Sequence, residues 1–358
     1  MVLTGLKLGA GTLIARYGRE PARRLFKASI SALDAVERLV EEEHIDCHFR
    51  RCGHLALASK PAHCRHFEQE AQLLSREFAH EVRTVPRAGL RDDIGSDFFH
   101  GGMLDPASAC VNPARYVAGL ARAARGAGAS VHEMTPVQCI ERDRRRWRLR
   151  LPERVVDAGD VLVATSGYTG AVTQALCRKI VPVGSYIIAT EPLPDHLALA
   201  LIPRNRMLYD SRHFLHYFRL TADRRLLFGG RARFVPETGR AVLQSAKVLR
   251  KDMLEVFPQL QAVRIDYAWG GNLDFAFDTM PHAGQLEGFH FALGYAGHGV
   301  ALATHLGTLV GEELGRDAAC ATPFASIPFP GAPLGLYSGQ PWFLPMVAAW
   351  YKILDWVG

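Results

Sequence analysis

The stretch that most constrains this chain lies near its C-terminus: Phe291-Ala-Leu-Gly-Tyr-Ala-Gly-His-Gly-Val-Ala-Leu-Ala-Thr-His-Leu306. A short apolar strand, His290 to Leu293, runs into a turn with glycines at 294, 297 and 299. A helix is predicted from Val300, with Ala301, Ala303 and Gly307 on its early turns. Glycines at this density let a backbone turn sharply and approach another object closely, because no Cβ intervenes. The free N–H groups of the helix start, and the helix dipole, favour an anionic or polar group there. That geometry cradles a cofactor. The alternative is a glycine-rich strand-to-helix turn that only packs, so context has to decide.

Two further stretches supply context. In Asp160-Val-Leu-Val-Ala-Thr-Ser-Gly-Tyr-Thr169, four apolar residues read as a buried parallel strand stopped by a small polar turn. The other is Trp269-Gly-Gly-Asn-Leu-Asp-Phe-Ala-Phe-Asp278, followed by Met280, Pro281 and Gly284. Together the three resemble the FAD-dependent amine and amino-acid oxidoreductases of the D-amino-acid oxidase / glycine oxidase superfamily, and within it the gamma-glutamylputrescine oxidoreductase type. The resemblance covers nearly the whole chain. It implies FAD as cofactor, held by Gly294, Tyr295, Gly297, His298, Gly299 and Val300, by Ala164, Thr165, Gly167 and Tyr168, and by backbone at Val137 against the adenine.

The family pattern begins with a strand, a G-x-G-x-x-G turn and a helix that hold the pyrophosphate. This sequence opens Met1-Val-Leu-Thr-Gly-Leu-Lys-Leu-Gly-Ala-Gly-Thr, and Gly9-Ala-Gly11 does not substitute. No long apolar strand precedes it and the third glycine is absent. The expectation is a recorded start internal to a longer reading frame, just after the first flavin-contacting loop. Without that first strand, the strand Val161–Thr165 should present an open edge. Flavin binding should then be weak.

The expected fold is α/β, in an α+β mixture. An incomplete, discontinuous Rossmann-like FAD-binding domain (1–179 and 270–358) surrounds an antiparallel-sheet substrate domain (180–269), joined by part of 44–100. Helices are predicted over 12–43, where Leu25, Ile30, Leu33, Val36, Leu39 and Val40 recur at three- and four-residue spacing, over 62–81, and over 113–126, which opens on proline and ends on glycine. A strand pair is predicted within Gly128–Ile140. In the substrate domain, Val181–Thr190 and the hairpin Phe214–Leu220 / Leu226–Arg231 read as strands, and 239–257 as a helix.

Net charge is +6, but the basic residues are mostly scattered. Their main cluster (Arg142, Arg144, Arg145, Arg146, Arg148, Arg150) alternates with Trp147, Leu149 and Leu151, which reads as a strand with one solvated face rather than a nucleic-acid site. Seven irregularly spaced cysteines without a signal peptide suggest reduced thiols in a cytoplasm. The Cys47–His54 run lacks a second ligand pair at zinc spacing, so no metal is expected. No apolar run reaches the roughly 18 residues a membrane span needs. The apolar tail from Pro341 is expected to dock as a helix on the protein.

The resemblance implies oxidation of the C–N bond of a small-molecule amine or amino acid to an imine, with hydride transfer to flavin N5 and reoxidation by oxygen or another acceptor. Such chemistry rests on positioning and desolvation. Candidates on the substrate-domain strands are Tyr186, His216, Tyr217, Arg219, Arg231 and Trp269. Alternation puts His216 and Phe218 on one face and Tyr217 and Arg219 on the other. Tyr217 is preferred for the pocket, and Arg219 or Arg231 would suit a substrate carboxylate. Cys177 and Cys320 match no covalent flavin motif. The competing readings are a flavin-free remnant that binds a ligand or partner, and a flavin dehydrogenase of another substrate class.

Overall fold

A computed structural model describes residues 1–143, 146–230, 239–316 and 322–357. Its largest element is an eight-stranded sheet. From one edge the order is Ile265–Ala276, Ile180–Thr190, Leu226–Gly230, His216–Leu220, Met207–Asp210, His54–Leu57, Gly101–Asp105 and Arg83–Pro86. Neighbours are antiparallel except Met207–Asp210 and His54–Leu57, which run parallel. The sheet therefore draws three strands from the N-terminal third of the chain. Its first strand, Ile265–Ala276, runs straight through the position where a boundary at 269/270 was expected.

Alternation decides what each face of this sheet does. Tyr186, Ile188, Phe218 and Phe228 are fully buried on one face. The helix Gly239–Val256 covers them, with Ala241, Ser245, Leu249, Met253 and Val256 turned inward at helical spacing. Tyr217 and Arg219 stand on the opposite face, half-buried. The predicted alternation of this hairpin is thus present.

The second layer is helical. Ala10–Tyr17 and Arg19–Glu42 are separate helices broken at Gly18 (φ +83°). The longer one packs its Leu25, Ala28, Ala32, Leu33 and Val36 stripe against the helix Gly299–Arg316 through Ala301, Leu302, Leu306 and Val310. Pro113–Gly126 is capped by Asn112, whose side chain accepts from the Arg115 N–H at 3.2 Å.

Two small sheets complete the fold. Cys139–Asp143, Arg146–Arg150 and Val155–Ala158 form one, with Trp147 buried and Arg148 paired to Asp157; Arg144 and Arg145 lie outside the described residues. In the other, Phe289–Leu293 lies between His282–Leu286 and Leu162–Val163. Here two expectations fail. The strand expected over Val161–Thr165 pairs for only two residues, His290 with Leu162 and Phe291 with Val163. Its open edge is as expected: Leu162 is 37 % exposed and no strand pairs with its other side among the described residues. The strand pair expected in Gly128–Ile140 also shrinks to its last residues, from Cys139. Pro136 has no N–H to offer, and Gly128 and Met134 adopt positive φ.

The tail forms the helix Leu344–Val357, docked through Phe343, Val347 and Tyr351. Asp355 fixes it by accepting from the His213 and Phe214 backbone N–H groups at 2.8 and 3.0 Å. No helix among the described residues is long and apolar enough to cross a membrane.

Candidate active site

The glycine turn takes the expected form. Gly294 and Gly297 have φ of +87° and +96°, and the helix begins at Gly299. A Cβ on Gly294 would sit 2.8 Å from the Met280 carbonyl oxygen. At Gly297 a Cβ would meet no atom within 4 Å, so the turn opens onto free space there. Tyr295 points inward and donates to the Ala292 carbonyl at 2.9 Å.

What holds the turn is Asp274, near the end of the strand Ile265–Ala276. Its carboxylate accepts from the N–H groups of Gly294 (2.7 Å) and Tyr295 (3.2 Å) and interacts with the Ser166 hydroxyl, and its carbonyl accepts from Ala296 N–H at 2.9 Å. Asp274 is 3 % exposed. Burial raises its pKa to about 6, against the lowering effect of these hydrogen bonds. One side chain thus ties together all three stretches singled out in the sequence.

The segment Ala164–Tyr168 docks on the same strand. A Cβ on Gly167 would lie 2.5 Å from the Asn272 carbonyl oxygen, and the Tyr168 hydroxyl accepts from the Asn272 N–H at 3.2 Å. Ala164 and Thr165 are exposed, and Tyr168 is 65 % exposed. Val137 is half-buried in irregular chain.

His298 is half-buried as a residue, with its Nδ1 sealed from solvent and lacking a well-formed hydrogen bond among the described residues. Burial, then Lys7 and His54, push its pKa down to about 3, so the ring is neutral. His54 belongs to the large sheet and stacks on Tyr209 at 5.3 Å. The face that carries His54 and Tyr209 is the one opposite Leu55, Leu208 and Phe218.

On that face, register places Tyr209, Tyr217, Gly229, Ile187 and Trp269 in one row across five strands. The Tyr217 ring lies over Gly229, where a Cβ would be 2.4 Å away, and its hydroxyl meets Ser185 Oγ at 2.9 Å. Trp269 is 42 % exposed. Arg219, next in line, donates to the Val111 carbonyl at 2.7 Å. Tyr186 and His216 belong to the opposite, buried face, where His216 sits between Asp210 (3.1 Å) and Asp252 (2.9 Å). Arg231 and Cys320 lie outside the described residues.

Comparison with known proteins decides what this constellation belongs to. Residues 7–313 match the DAO family, described as FAD dependent oxidoreductase. A gamma-glutamylputrescine oxidoreductase of Escherichia coli is 32 % identical over 349 residues, 96 % of this chain and 79 % of the relative. A probable oxidoreductase OrdL of Haemophilus influenzae is 31 % identical over 321 residues, 88 % of this chain and 73 % of the relative. This chain belongs to the DAO family of FAD-dependent oxidoreductases. The fold agrees: glycine oxidase from Geobacillus kaustophilus superposes with TM-score 0.73 at 19 % identity, covering 89 % of this chain and 87 % of that one.

As a DAO-family oxidoreductase the chain takes FAD and a small-molecule substrate, with an electron acceptor. The residues present fit the flavin at the glycine-turn end, where Gly297 opens to space and the buried Nδ1 of His298 wants a partner. The described residues contain no G-x-G-x-x-G helix start for the pyrophosphate. Sequence reasoning missed Asp274, Ser166 and His54. An acid flanked by Leu273 and Phe275 was the available signal for Asp274, since a buried carboxylate needs donors.

Proposed function

We propose that this flavoprotein oxidises the C–N bond of an amine or amino acid carrying a carboxylate, of the gamma-glutamylputrescine kind, to the imine. The observation that carries the reading is the shared strand. Trp269 stands in the aromatic row of the open sheet face, and Asp274, further along the same strand, holds the glycine turn. FAD, when bound, would supply the two-electron acceptor, taking both electrons of the oxidation as a hydride. The Ala164–Tyr168 and Gly294–Val300 segments would hold it, with Val137 toward the adenine. Tyr217 and Trp269 orient the substrate and keep water from its reacting carbon. Arg219 supplies positive charge for the carboxylate. Oxygen is the proposed acceptor. The division into 1–179 with 270–358, and 180–269, is part of the same proposal, with the strands at 54–57, 83–86 and 101–105 on the substrate side.

The test is anaerobic flavin bleaching. Purified protein is incubated with FAD, desalted, and mixed with gamma-glutamylputrescine, putrescine, glycine and proline in turn. Bleaching by the gamma-glutamyl amine, and peroxide formation on readmitting oxygen, are expected. Retained flavin that none of the amines reduces overturns the substrate class. Bleaching without peroxide points to a dehydrogenase. A soluble protein that retains no flavin returns the flavin-free remnant reading.

A further inference from the structure

Cys52 and Cys110 stand outside the machinery described above. Cys110 ends the two-residue strand Ala109–Cys110, which pairs antiparallel with Arg50–Arg51, Arg50 opposite Cys110. Cys52 follows directly. The Gly53 N–H donates to the Ser108 carbonyl at 2.9 Å, one residue out of the Arg50–Cys110 register, so the pairing is irregular at Cys52 and the two cysteines meet in a packed cluster rather than as a register pair. Both are buried, at 9 % and 4 % exposure, in one small cluster with Met207. Their thiols share a hydrogen bond. Met1 and Leu3 cover the cluster, on a short segment held by the bridge between Val2 and Ala109.

The surroundings make the two sulfurs unequal. The hydrogen bond from Cys52, helped by Arg219 and Arg50, outweighs burial and draws the Cys110 thiol well below its usual range. Cys52, bonded to that sulfur and buried, moves up. A stabilised thiolate beside a protonated thiol is the arrangement of an attacking cysteine with a resolving partner.

We propose that Cys52 and Cys110 are a redox-active dithiol that closes reversibly to a disulfide when a hydroperoxide reaches it. The Cys110 thiolate attacks one peroxide oxygen. The O–O bond breaks, hydroxide leaves, and Cys110 becomes a sulfenic acid. The Cys52 sulfur then attacks the Cys110 sulfur, and its proton leaves with the sulfenic hydroxyl as water. Two thiols and one hydrogen peroxide give one disulfide and two waters. The inference does not depend on which substrate the flavin site oxidises.

The test treats the full chain with one equivalent of hydrogen peroxide, unfolds it, alkylates free thiols and maps peptides without reduction. The expected result is a loss of two alkylatable thiols, a Cys52–Cys110 linked peptide, and full recovery on adding dithiothreitol. The Cys52→Ser variant should accumulate a Cys110 sulfenic acid trapped by dimedone, and the Cys110→Ser variant neither product. Wild-type protein that keeps both thiols alkylatable overturns the proposal. So does wild-type Cys110 that oxidises to the sulfinic acid without forming the link. The wild-type map alone decides if either variant fails to fold.

Discussion

Replacing Asp274 by asparagine should change how stability depends on pH. Asp274 is buried, and its pKa rises from the ordinary 3.8 to about 6. A carboxyl whose folded value is raised favours the folded state below its unfolded pKa, and that advantage is lost as pH rises through the folded value. The climb from 3.8 to about 6 corresponds to about 3 kcal/mol of stability lost between roughly pH 4 and pH 7. Asparagine keeps one acceptor oxygen for Gly294 or Tyr295 but never ionises. Wild type should therefore lose about 3 kcal/mol more than Asp274→Asn across that window, provided its other groups titrate alike in both. Urea unfolding of both proteins at a series of pH values measures this. Parallel pH curves would falsify the reasoning, because they would mean that Asp274 does not titrate differently in the folded state. Asp274→Ala should be worse at every pH. It strands two buried N–H donors, at about 1–3 kcal/mol each, and FAD affinity should fall with the loosened turn.

Gly167→Ala places a methyl 2.5 Å from the Asn272 carbonyl oxygen, and neither backbone can yield cheaply; thermal unfolding should show a loss of about 1–3 kcal/mol, and an FAD titration a weaker complex. Tyr217→Phe removes the 2.9 Å contact with Ser185. Its stability should stay within about 1 kcal/mol of wild type, while kcat/KM toward a reducing amine falls about tenfold. Leu249→Ala empties a fully buried position on the sheet-facing side of the helix Gly239–Val256, and denaturant unfolding should report a cost of about 2–5 kcal/mol.

Periodicity carried well wherever local pattern and tertiary burial agree. The stripe Leu25–Val36 and the alternation His216–Leu220 were legible because one face of each is sealed by another element. The glycine turn was legible because left-handed backbone at Gly294 and Gly297 demands glycine. Where a partner strand is missing, composition overstated strand length and burial, although the open edge of Val161–Thr165 was expected. Val161–Ala164 has the composition of a buried strand, yet half of it lies open. Residues 128–138 show the same failure, for a strand exists only as part of a pair. Asp274 escaped notice for another reason. Its role lies in backbone donors some twenty residues away, a relation with no trace in spacing.

The strand Ile265–Ala276 is registered residue by residue along Ile180–Thr190 for ten pairs, with a bulge before the eleventh. Trp269 and Asp274 lie five steps apart on it, about 17 Å. A ladder of that length behaves as a stiff beam, so the proposed substrate floor and the proposed cofactor turn are mounted on one support. A hinge between them would have to break this ladder. Traffic into the site then falls to its rim, where Tyr168 and Trp269 stand exposed. Substrate size would be selected by side-chain gating at that rim, at the speed of rotamer change rather than of domain opening.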